Sequence, residues 1–197
     1  MKKNIYYSLL ISAMVSVSAA EETRQVDKHE HGVGELNIAI EGNAIDFEFF
    51  IPGADIVGFE YEAKTESDIA LVNAALEKFG NFDNIFSLPE SSNCNLVNSE
   101  IGVNQDDDHD DHDDHDDHDD HDDHDDHDDH DEEAHNEFVA HYSFNCENIK
   151  EIDRISFPYF TNFPNSGELE VQFVSEKGST GFEVEGDEPF IDLKGKI

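Results

Sequence analysis

The sequence predicts an α+β fold: a single domain on a mostly antiparallel β-sheet, with one main helix and a disordered Asp/His-rich loop inserted between two strands. Three observations lead there. Apolar and polar residues alternate in short runs on both sides of residues 106–131. Only TESDIALVNAALEKFGN has a clear helical period. The run from His109 to His130 repeats His-Asp-Asp without a break, so it holds no apolar side chain and cannot enter a core.

The chain of 197 residues opens with MKKNIYYSLLISAMVSVSA. Lys2 and Lys3 precede an apolar stretch from Ile5 to Val17, then small residues, which is the layout of a secretory signal peptide. Cleavage suits Ala19 or Ala20. The stretch is short and broken by serines, whereas a membrane-spanning helix needs about 20 mostly apolar residues. Residues 1–19 are therefore expected to be a signal peptide and 20–197 one α+β domain, with 105–134 as the disordered insertion. A lysine-led leader without a retention signal points to a bacterial periplasmic or secreted protein, with no membrane insertion of the mature chain.

After a polar lead that ends in His29-Glu30-His31, Leu36, Ile38 and Ile40 alternate with polar neighbours. Glu41-Gly42-Asn43 is turn chemistry, and Ile45, Phe47, Phe49 and Ile51 alternate again, so a hairpin with one buried face is expected up to Pro52-Gly53. Thr65 with Asp68 resembles a capping box that opens the helix. Ile69, Val72, Leu76 and Phe79 form its stripe, with Ala75 beside them, and Gly80-Asn81 stops it. NFDNIFSLP suggests a short helical turn, and Cys94 to Val103 a strand. Beyond the repeat, Phe138, Ala140, Tyr142, Phe144 and Cys146 share one strand face, while Val139, His141 and Ser143 share the other. Ile149 to Ser156 fits a strand or a short helix equally. PYFTNFPNSG reads as a turn or short helix packed by Phe160 and Phe163. A hairpin around Glu176-Lys177-Gly178 and a last strand at PFIDL complete the set.

The formal net charge is −38. Without the 18 aspartates of the repeat region, 31 acidic residues still face 11 Lys and Arg. Such a field repels nucleic acid and anionic lipid and attracts cations, although solubility alone also accounts for it. Cys94 and Cys146 are expected to form a disulfide in an exported chain, closing a loop of about 50 residues worth ~4 kcal/mol in the chain-entropy model. A Cys-containing metal site is the alternative.

Asp-rich low-complexity runs are commonly solvated spacers, yet a spacer has no need of histidine at every third position. Imidazole nitrogen suits zinc, copper and nickel, whereas carboxylate alone suits calcium or magnesium. In an extended three-residue turn all imidazoles lie along one edge, and in a helical turn i and i+3 are neighbours. His109, His112, His115, His118, His121, His124, His127 and His130 are thus expected to hold roughly two to four zinc ions (Zn2+), with Asp as additional ligand, in weak exchangeable sites. The aspartates concentrate divalent cations and hold protons on the imidazoles, so capture is expected to fail as pH falls toward about 5. The tract is expected to be tied at its ends near Cys94 and Cys146.

Four histidines lie outside the repeat. His29 and His31 point to the same side in an extended segment, and His135 and His141 have matching parity on the strand after the repeat. If that strand neighbours the first one, three or four of these imidazoles gather at one edge as a second metal site; the alternative for His141 is a lone polar residue on the solvent face.

HEHGVGELNIAIEGN, ADIVGFE at Ala54 to Glu60, the Cys94 and Cys146 pair with a His-rich insertion between them, HYSFNC, and FTNFPNSGELEVQFV together resemble the ZrgA-like zinc-regulated periplasmic proteins of Gram-negative bacteria. The resemblance covers nearly the whole mature chain. VGFE is often followed by His in that family, and here Tyr61 stands there. The resemblance implies production under zinc starvation, zinc binding in the periplasm, and support for a high-affinity zinc ABC importer, with transient contact to the importer or its solute-binding protein.

The leading expectation is therefore a non-enzymatic protein that captures scarce zinc. A buffer against excess zinc, copper or nickel is the runner-up, and induction by chelator rather than by metal separates the two. A metal-dependent hydrolase is the third reading, with Asp27 and Glu30 beside the N-terminal histidines as its only support. H-E-x-x-H, G-x-S-x-G and a Gly-rich phosphate loop are all absent from the sequence.

Overall fold

A computed structural model describes residues 32–105 and 136–197. The first alternating run folds as the expected hairpin. Strands β1 (Val33–Glu41) and β2 (Ala44–Pro52) pair antiparallel with Ile38 opposite Phe47. Their apolar residues face one side because successive side chains of a strand alternate. Gly42 turns the corner at φ +60°, a backbone conformation without steric cost only for glycine.

Pro52-Gly53 does more than end the hairpin. It leads directly into a short helix, α1 (Gly53–Val57), closed by Gly58 in the left-handed region. The main helix, α2 (Glu66–Phe79), begins as its capping residues predict, with the Thr65 side chain accepting the Asp68 N–H at 3.2 Å. Its apolar stripe is buried only in the second half. Ala75 and Phe79 are covered, Val72 and Leu76 half-covered, and Ile69 is 45% exposed. Phe79 stacks on Phe138 and Phe163, and its carbonyl accepts the Tyr142 hydroxyl at 2.7 Å. The helix is anchored by that end, and its first turns run past the aromatic floor.

Strands β3 (Cys94–Gln105) and β4 (Asn136–Cys146) pair antiparallel, with a register shift at Val97. Ile149 to Ser156 splits into a 3-10 turn followed by β5 (Arg154–Ser156). In the aromatic segment, α3 (Tyr159–Asn162) forms the short helix expected there; Phe163 just after it is buried, Phe160 is half-buried and packs against the core as expected, and Tyr159 goes inside as well. The buried Tyr159 hydroxyl meets Ser166 at 2.6 Å, which explains why Tyr159 can go inside. The last hairpin is β6 (Glu168–Ser175) with β7 (Gly178–Glu185). The final strand, β8 (Phe190–Asp192), pairs with β5 in a separate two-stranded sheet.

The main sheet runs β3-β4-β2-β1-β6-β7. Only the β1–β6 pair is parallel, so the fold is α+β with a mostly antiparallel sheet and one main helix. Its core is aromatic. Phe47 stacks on Phe86 at 4.0 Å between ring centres, with Phe49, Tyr142 and Phe144 around the same ring.

Candidate metal-capture site

The repeat interrupts a hairpin. β3 and β4 stay in register up to Gln105 opposite Asn136, so the segment between them leaves one strand and re-enters its neighbour. All eight repeat histidines, His109 to His130, lie outside the described residues. The disulfide forms as expected, with Cys94 opposite Cys146. It does not tie the ends of the tract, however. It closes the other end of the hairpin, roughly 35 Å away at about 3.3 Å per residue. Strand pairing is what holds the two exits together, about 4.8 Å apart in the hydrogen-bonding direction.

His29, His31 and His135 also lie outside the described residues, but Gly32, which follows His31, and Asn136, which follows His135, do not. Gly32 donates its N–H to Asp55 Oδ1 at 2.9 Å, and its carbonyl accepts from Gly167 and Glu168. Asn136 donates its N–H to the Glu60 carbonyl at 2.7 Å and its side-chain amide to the Tyr61 carbonyl. Both are thus fastened to the same segment, Gly53 to Tyr61. That segment turns so tightly that a Cβ on Gly53 would lie 2.7 Å from the Phe59 carbonyl oxygen and 2.9 Å from that of Asn136. The chain after His31 and the chain after His135 therefore reach one corner of the sheet.

His141 does not belong to that corner. The expected neighbourhood of β4 and β1 is not formed, because β2 lies between them. His141 sits instead on the outward face, opposite Glu48 of β2 and Glu100 of β3. Its Nε2 lies 3.8 Å from Asp46 Oδ1, which also accepts the Ser143 hydroxyl at 2.5 Å. Counting strands and residues puts it about 19 Å from Gly32. Among the described residues no three or more His, Cys, Asp or Glu side chains converge to hold a metal. Sequence reasoning missed Asp46 and Glu48 as neighbours of His141, and Asp55 as the anchor of Gly32. Alternation marks the first two as outward-facing, but the pairing that places them beside His141 leaves no local signal.

Among the described residues no helix is long and apolar enough to cross a membrane. A family model described as ZrgA family zinc uptake protein matches residues 28–193. No curated protein matches the chain.

Proposed function

The chain belongs to the ZrgA family of zinc uptake proteins, and from that premise we propose that it is an exported, non-enzymatic protein that captures scarce zinc in the periplasm and supports a high-affinity zinc ABC importer. The observation that carries this reading is the attachment of the His-Asp-Asp repeat to a rigid base. Its eight imidazoles are spaced for transition-metal coordination, and both of its exits are set side by side by the β3–β4 register. A long loop closed at adjacent strands keeps its ligands concentrated around the domain.

The repeat histidines are proposed as weak, exchangeable ligands, with neighbouring aspartates drawing zinc in. His29, His31 and His135 are proposed as a second, tighter set. This is supported by the anchoring of Gly32 and Asn136 to one segment. His141, on the outward face about 19 Å from Gly32, is not proposed as part of that set.

Zinc calorimetry at neutral pH on three proteins tests the reading: the intact mature chain, a variant with all eight repeat histidines replaced by Asn, and a His29/His31 double Ala variant. The repeat variant is expected to lose most bound zinc and the double variant the tightest phase. Equal zinc uptake by the repeat variant and the intact chain would refute capture by the tract.

A further inference from the structure

The two faces of the main sheet differ in kind. The aromatic core and the buried sides of the helices lie on one face. On the other, Glu35, Asn37, Ala39, Glu48, Gln172 and Val174 are exposed to solvent. No lysine or arginine occurs in any of the six strands, and every carboxylate in them has outward parity. Cross-strand register lines these groups up. Glu35, Glu170 and Glu183 form one row over β1, β6 and β7, and Glu48, His141 and Glu100 another over β2, β4 and β3. Glu48 and Glu100 flank His141 on this outward face, with Asp46 beside it, so the field over the face is negative and draws positively charged groups.

The face also has shape. A groove of about 310 Å³ has Ala39 and Val174 among its lining, with Asp46, Glu48 and Gln172 beside them. A second hollow of about 490 Å³ shares Gln172 and lies over Gly181, which has no side chain to fill it, beside Glu183. Apolar surface bordered by carboxylates suits the aliphatic stem and cationic head of lysine or arginine. Nucleic acid and anionic membrane carry the wrong charge for it.

We propose that this open sheet face is a docking surface for a protein that presents lysine and arginine side chains, one stem lying on Ala39 and Val174 with its head group at Asp46 and Glu48. The proposal rests on the zinc-uptake reading, under which the partner is the importer's solute-binding protein. Docking there leaves the corner near Gly32 and Asn136 uncovered, so zinc transfer and partner recognition use separate parts of the domain.

The test is a titration of the full mature, disulfide-bonded, 15N-labelled protein with the zinc-loaded solute-binding protein. Amide shifts are expected at Asn37, Ala39, Asp46, Glu48 and Val174, with affinity falling as salt rises. Glu48→Lys and Val174→Lys both replace exposed residues, so each should keep a dispersed spectrum and the native zinc isotherm while weakening the complex about tenfold or more. A complex whose shifts map to Ile69 and Leu71 or to the Asp/His tract overturns the proposal, as does one that both variants leave within about twofold of native affinity. The same face shifting with zinc chloride alone and not with the partner makes it a cation site and also overturns it. Formation of no complex refutes importer support itself, and docking with it, which distinguishes that failure from a misplaced surface.

Discussion

Cys94 and Cys146 are disulfide-bonded register partners at one end of the β3–β4 hairpin, and the histidine tract departs from the other end. The bridge therefore serves the fold and not the geometry of the tract. Replacing both cysteines with Ala is expected to lower the unfolding free energy by about 4 kcal/mol, as for a loop of this length. Zinc stoichiometry under native conditions should stay unchanged. Urea denaturation alongside a zinc titration checks both, and a parallel loss of zinc would show that the bridge positions the ligands after all.

Phe86 is fully buried against Phe47, Phe49, Tyr142 and Phe144. It joins the segment after α2 to the centre of the sheet. Phe86→Ala removes that stack and leaves a cavity, so a loss of about 3–5 kcal/mol is expected in equilibrium denaturation. A loss below about 1 kcal/mol would mean the core collapses into the space.

How much of this was legible in the sequence depends on how local each feature is. The alternation of Leu36, Ile38 and Ile40, and of Phe138 to Cys146, has period two, and both strands face as it says. Thr65 caps α2 because its partner Asp68 is three residues away. The period that assigns Ile69 to the helix's inner stripe carries no information on how far the neighbouring core extends, and Ile69 ends up exposed. The turn after Pro52 depends on contact with Asn136, far along the chain. Likewise β2 inserts between β1 and β4 because of long-range packing, and this separates His141 from Gly32, the described residue that follows His31.

Alkaline pH should destabilise the domain through Tyr142 and Tyr159. Burial raises both phenols well above their ordinary value of 10.0, and Asp55 adds to the effect at Tyr159, while the hydrogen bond with Ser166 opposes it. The unfolded chain releases these protons near pH ~10, while the folded chain retains them. Stability is thus fully present below that pH and falls as pH rises toward the folded values, by up to about 1.4 kcal/mol per pH unit for each group. Chemical denaturation between about pH 9 and 11 should show this slope, and Tyr142→Phe should remove part of it. An unchanged slope in Tyr142→Phe would assign the alkaline loss to other groups.

Gly53 offers a way to test the corner without touching a histidine. An added methyl meets two backbone oxygens, those of Phe59 and Asn136, at distances that real Cβ atoms do not tolerate. Neither oxygen sits on a flexible side chain, so the backbone itself must shift. Gly53→Ala should cost about 1–3 kcal/mol, as overpacking does. It should also move Asn136 away from the Glu60 and Tyr61 carbonyls that hold it. If His31 and His135 act together at this corner, the variant loses tight zinc binding while keeping the weak uptake of the repeat. His141→Ala, on the outward face, should keep both. Competition with a chromogenic chelator at neutral pH, run on both variants below their melting temperatures, separates the two outcomes. Tight binding kept in Gly53→Ala and lost in His141→Ala would move the site from the corner to the open face of the sheet.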